Sequence, residues 1–320
     1  MTQRIAFLFP GQGSQSVGML NMFKESPVTA NLYNEVVSEA QLALGQDLGS
    51  LIEHGPAETL NLTINTQPAM LMADILIFRA WLAAGGKLPD LVAGHSLGEY
   101  AAFIAAGALR LPEGLKLVRI RAHAMQKAVP VGQGGMAAIL GLSDQQVRMA
   151  CQQASVCGEV AEAVNFNAPN QVVIAGSAQG VKTACEIAKT MGAKRALELP
   201  VSAPFHSSLM KPATIELAGA LNNTNFQIPI IPVYNNIDVA VKQDPESIRD
   251  ALVRQAYGPV RWVEIIEAMV EAETTLFIEC GPGKVLANLV RRITHIPVVN
   301  IFDPDSIQAT LLASQKGFSE

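Results

Sequence analysis

The sequence predicts an α/β fold, and three observations carry that reading. Short apolar runs alternate with longer helix-period segments over 320 residues, as a parallel sheet flanked by helices requires. One apolar run, 91–94, stops at a glycine-histidine-serine turn and passes directly into a helical pattern. Between 131 and 200 the order becomes strand-helix-strand-strand-helix-strand, which marks a second, smaller unit.

Taken in order, RIAFLFP (4–10) is the first strand, too short and too soon broken by Pro10 to be a signal-peptide core. QPAMLMADILIFRAWLAAG (67–85) is a helix whose apolar stripe faces a sheet. DLVAGHS (90–96) is a central strand. In the smaller unit MAAILGL is a strand, and Ser143 with Gln146 forms a capping box at the next helix start. AEAVNF and QVVIAGS flank the turn-like NAPN, where Asn167 reads as a turn residue, so they make a hairpin. The following helix ends on Gly192, and KRALELPV closes the set. TLFIEC and IPVVNIFD are the last strands. The expected organisation is a ferredoxin-like subdomain, 131–200, inserted into a discontinuous large domain of 1–130 and 201–320. The cleft between them is the expected binding site.

Composition narrows the function classes. Hydrophobic residues make up 49% and charged ones 16%, the balance of a globular chain. A net charge of −5, with two Trp and four Tyr, argues against nucleic acid as a partner. The longest uncharged tract, 217–237, is rich in Asn and holds two Pro, so no membrane span is expected and the cytoplasm is the expected location. Four cysteines without a CxxC pair imply ordinary thiols in a reducing compartment and no metal site.

The turn at 94–98 carries the chemistry. Gly94-His95-Ser96-Leu97-Gly98 fits G-x-S-x-G with a strand before it and a helix after it, so the large domain is expected to be α/β-hydrolase-like. Such an elbow lifts Ser96 Oγ above the sheet and leaves the Leu97 N–H at a helix start, suited to a developing oxyanion. The bland alternative is a serine that caps the helix. A nucleophilic serine needs a base. Of five histidines, His95 should diverge from Ser96 on a tight turn. His206, between Pro204 and the following helix, returns the chain to the cleft edge.

Six motifs in order make a wider pattern: PGQGSQ (10–15), GHSLGEY (94–100), RAHAMQ (121–126), PFHSSLM (204–210), RQAYGPVRW (254–262) and ECGPGKVL (279–286). Together they resemble the malonyl-CoA:acyl carrier protein transacylases of fatty-acid synthesis. The resemblance implies Ser96 as nucleophile, His206 as general base, and the backbone N–H groups of Gln12 and Leu97 as oxyanion hole. It further implies Arg121 as the malonyl-carboxylate clamp, Gln255 as a pocket residue, and a backbone carbonyl that orients the histidine. Phe205 is expected to narrow the acyl pocket. The implied substrates are malonyl-CoA and acyl carrier protein, with no metal or redox cofactor, acting on a monomer. Arg291 with Arg292, and Lys194 with Arg195, are candidate carrier contacts. Three rivals stay open at this point: a serine hydrolase, a polyketide-type transacylase, and a carrier-binding module without activity. A histidine base of ordinary pKa predicts falling activity below roughly pH 6.5 unless the site shifts it.

Overall fold

A computed structural model describes residues 3–201 and 203–316. Among these residues nine strands run in chain order: β1 (Ile5–Phe9), β2 (Leu91–Gly94), β3 (Gly134–Leu140), β4 (Ala161–Ala168), β5 (Gln171–Ser177), β6 (Arg195–Glu198), β7 (Val233–Tyr234), β8 (Leu276–Cys280) and β9 (Val298–Ile301). β1 is apolar and buried at every position, as a strand covered on both faces must be. It is the centre of a parallel sheet ordered β7-β2-β1-β8-β9. The helix Thr63–Ala83 is buried almost throughout and lies on this sheet. Its Phe78 and Trp81 meet the Phe7 ring edge-on at 5.9 and 5.5 Å. Burying each such side chain contributes roughly 1.5–3 kcal/mol.

Register decides where the site falls. Phe9 pairs with Gly94 and Leu8 with Glu279, so β1, β2 and β8 finish at one level. The chain leaves β1 to one side for β2 and reaches β8 on the other. Their loops therefore meet outside the carboxyl ends of the strands, where open α/β sheets form their crevices. The two-residue β7 lies at the edge beside β2.

The second sheet is antiparallel, ordered β4-β5-β3-β6. The helices Asp144–Ala154 and Ala178–Thr190 pack on it over a separate apolar core that includes Ile139, Val147, Phe166 and Ile174. Ser143 and Gln146 form the capping box that their spacing predicts. The hairpin turn is tighter than NAPN suggests. β4 continues through Ala168, only Pro169 and Asn170 turn, and Asn170 takes φ 60°. Asn167 is thus a strand residue, not a turn residue. An irregularity in the β4–β5 register between Phe166 and Ala168 brings it to the cleft wall.

The antiparallel sheet is joined through β4 to the segment at Val260, outside both sheets. Phe166 N–H donates to Val260 O, and Val260 N–H to Val164 O. Among the described residues no helix is long and apolar enough to cross a membrane.

Candidate active site

The elbow after β2 is held by three glycines. A Cβ on Gly94 would stand 1.9 Å from the Gly98 carbonyl, and one on Gly98 would stand 2.1 Å from Phe9 O. A Cβ on Gly11 would reach 2.6 Å from His95 O, so the loop after β1 also lies directly against the turn. With that space emptied, Ser96 takes φ 53°, the strained conformation of a strand-to-helix elbow. Asn236 braces it: the Ser96 N–H donates to Asn236 Oδ1 at 2.7 Å, and Asn236 Nδ2 donates to Gly94 O at 2.7 Å. The N–H groups of Leu97 and Gln12 donate to no protein group among the described residues. They stay available to an incoming oxygen.

Ser96 Oγ lies 2.7 Å from His206 Nε2. On the far side of the ring, Nδ1 is 2.8 Å from the Gln255 backbone O. A carbonyl only accepts, so Nδ1 carries the proton and Nε2 faces the serine as a base. Burial lowers the His206 pKa to about 3, and the Arg121 charge adds to that, so the ring is neutral across the physiological range. The acid fall-off expected near pH 6.5 is thereby moved: burial disfavours imidazolium.

Arg121 comes from the helix Leu111–Ala128 and is 1% exposed, which rules out a solvated helix charge. Its Nη2 donates to Ser96 Oγ at 3.2 Å and to Gln255 Oε1 at 3.0 Å; Nη1 donates to Gln67 Oε1 at 3.0 Å. Gln67 Nε2 in turn donates to Gln12 Oε1 at 3.1 Å. The Gln255 Nε2 donates to Ser96 O at 2.8 Å and to Glu99 Oε2 at 3.0 Å. Burial raises Glu99 to about 7, with the Gln255 amide, the Asn236 N–H and Arg121 pulling the other way.

Ser96, His206, Gln12 and Arg121 line one cleft of about 210 Å³, with Phe205, Met136 and Leu289 on its apolar side. Leu97 and Gln255 are buried and not among its lining residues; Gln255, expected as a pocket residue, instead reaches the site through its bonds to Arg121 and Ser96 O. His95 diverges from the serine, as a tight turn requires. Its Nε2 meets Asn167 Oδ1 at 2.8 Å and its ring meets Trp262 edge-on at 5.3 Å. Sequence reasoning missed Asn236, Gln67 and Glu99 and read Asn167 as a turn residue; a trace was left by Glu99, a charge just ahead of the apolar run 100–109. Of the carrier candidates, Arg291 and Arg292 are engaged: Arg291 donates to Asn288 and Val298 O, Arg292 to Pro169 O and Gln171. Lys194 and Arg195 are exposed.

A half-buried serine on a neutral histidine, two free N–H donors and a buried guanidinium beside the same hydroxyl make an arrangement suited to acyl transfer through a serine ester. The chain belongs to the acyl transferase domain family, whose model matches residues 6–303. The malonyl CoA-acyl carrier protein transacylase of Salmonella typhimurium is 48% identical over 97% of this chain and 99% of its own length. The acyl-carrier-protein S-malonyltransferase structure from Burkholderia pseudomallei is 58% identical with a TM-score of 0.94, covering 97% of this chain and 100% of that one. A malonyl-transacylase solved in complex with its type II PKS acyl-carrier protein is 44% identical, TM-score 0.93, covering 97% and 99%.

Proposed function

We propose that this chain moves the malonyl group from malonyl-CoA to the phosphopantetheine thiol of acyl carrier protein through a malonyl ester on Ser96. The observation that carries the reading is one oxygen with two partners: Ser96 Oγ lies 2.7 Å from His206 Nε2 and 3.2 Å from Arg121 Nη2. His206 takes the serine proton as Oγ attacks the thioester carbonyl. The oxyanion is met by the N–H groups of Gln12 and Leu97, and CoA leaves as its thiol with the proton from His206. The carrier thiol then attacks the ester, with His206 as base again, in ping-pong order.

Arg121 selects the diacid by a forked grip on its free carboxylate. That contact has a second effect. Arg121 is among the charges that hold His206 neutral, so a carboxylate bound on the guanidinium makes imidazolium easier to form. Malonyl thus assists its own transfer, and acetyl does not. Phe205, 8% exposed, narrows the acyl end of the cleft.

The setting we read is fatty-acid synthesis in the cytoplasm by a monomer that needs no metal or redox cofactor; assays with a fatty-acid and a polyketide carrier side by side decide between carriers. The strand order β4-β5-β3-β6 supports reading 131–200 as a ferredoxin-like insertion into a discontinuous, α/β-hydrolase-like domain of 1–130 and 201–320. Intact-protein mass spectrometry after brief exposure to malonyl-CoA tests the central claim. One malonyl increment, mapped to Ser96 and discharged by carrier thiol faster than by water, is the expected result. Discharge by water at an equal rate identifies a hydrolase instead.

A further inference from the structure

Glu99 stands three residues after Ser96 on the helix Gly98–Ala105 and has no exposure to solvent. Its two oxygens are treated differently. Oε2 accepts from the Asn236 N–H and from Gln255 Nε2, both at 3.0 Å. Oε1 is buried without a hydrogen-bond partner. The Gln255 amide is a bridge: its Nε2 donates to Glu99 while its Oε1 accepts from Arg121 at 3.0 Å. Arg121 makes no direct ion pair among the described residues. Glu99 is the anion joined to it through one amide.

We propose that Glu99 is a positioning residue that balances the Arg121 charge in the empty site and takes a proton from solvent when the free carboxylate of the acyl group docks on Arg121. The inference rests on reading Arg121 as the carboxylate clamp. With the diacid bound, one buried cation would face two buried anions, an arrangement a low-dielectric interior opposes strongly. A proton on the bare Oε1 removes the excess charge and leaves both hydrogen bonds to Oε2 intact, so Gln255, Asn236 and Ser96 need not move. The groups that face Glu99 agree with this. Arg121 and the neutral Tyr100 lie on one side and neutral His206 lies beyond Gln255. Asp238 is already tied to Arg254 at 2.7 Å and Lys242 at 3.1 Å. After the hydrogen bonds from Gln255 and the Asn236 N–H, the Arg121 charge also favours the Glu99 carboxylate, and docking of a carboxylate cancels that share.

The test is a proton count by calorimetry in buffers of different ionisation enthalpy. A Ser96→Ala chain is used so that the thioester binds unreacted, and acetyl-CoA serves as reference. At pH 7.5, malonyl-CoA should take up more than acetyl-CoA by up to about three quarters of a proton, the ionised fraction of a group of pKa about 7. Adding Glu99→Gln, whose amide oxygen can still accept both N–H groups, should abolish the difference. It should also tighten malonyl-CoA about fourfold at that pH, since a group of pKa about 7 no longer has to be protonated. No extra uptake with malonyl-CoA, or uptake that survives Glu99→Gln, overturns the inference. Should the double variant fail to fold, Glu99→Ala on the Ser96→Ala chain takes its place in the count, and the absence of extra uptake on the Ser96→Ala chain alone already overturns the inference. Failure of the clamp reading looks different: malonyl-CoA then binds no tighter than acetyl-CoA, and Arg121→Ala changes neither. That outcome removes both ideas together.

Discussion

Strands β2 and β8 both leave the parallel sheet through a glycine turn into a helix, and the two helix starts are used in opposite ways. After β8, the buried Glu279 folds its carboxylate onto the helix Val285–Ile293, accepting the N–H groups of Leu286 at 2.9 Å and Ala287 at 2.8 Å. Burial raises this carboxyl to about 7 and the backbone donors oppose the rise. After β2, no side chain occupies the Leu97 N–H, and Ser96 stands beside it. One helix start is filled permanently by the chain's own acid. On the proposed mechanism the other is kept for a charge that exists only during reaction. The Leu286 and Ala287 N–H groups at the start of the second helix are thereby unavailable to an outside anion.

The comparison can be broken at either end, and the largest effect belongs to the open one. Ser96→Ala should lower malonyl transfer by at least about 10³-fold and abolish the malonyl increment in intact mass. A residual ester elsewhere would mean that the elbow is not the reacting turn. Next comes Arg121→Ala, for which kcat/KM with malonyl-CoA should fall by about 2–5 kcal/mol, the range for truncating one member of a buried charge pair. Turnover of acetyl-CoA should fall far less, and equal losses on both thioesters would remove the clamp.

At the filled end, Glu279→Ala leaves two interior N–H groups unpaired and should cost about 1–3 kcal/mol of stability, read from the urea midpoint. The stoichiometry of acylation by the folded protein should not change. A loss of acylation with stability intact would show that the second turn also takes part in the chemistry. The smallest effect concerns pH. Because the folded His206 pKa is depressed to about 3, the transfer rate should show no histidine limb between pH 7 and 5. The sign for stability follows from the same shift. Between the folded pKa and the unfolded value near 6.5, the unfolded chain binds the extra proton. His206 therefore adds nothing above that range and destabilises progressively as pH falls through it. A rate that halves near pH 6.5 would place the base in a more solvated setting.

How far the sequence could be read depended on the range of the contacts. β1, β2, β8 and β9 were legible because a strand covered on both faces leaves an apolar run, and Ser143–Gln146 because a capping box is complete within four residues. β7 was not, since Val233–Tyr234 is too short to show alternation. At the site, Ser96 announced itself through its glycines, while its braces did not. Asn236 lies 140 residues away and Gln255 lies 159 away, so only the folded chain brings them together. The shift of the histidine pKa could not be read for the same reason, because burial is a tertiary property.

The group that aims the His206 imidazole is the main-chain oxygen of Gln255. A peptide carbonyl survives any exchange of the side chain attached to it. A substitution at position 255 therefore acts on Arg121, Ser96 O and Glu99, which the amide holds, and leaves the imidazole's acceptor in place, a separation denied to enzymes whose histidine leans on an aspartate.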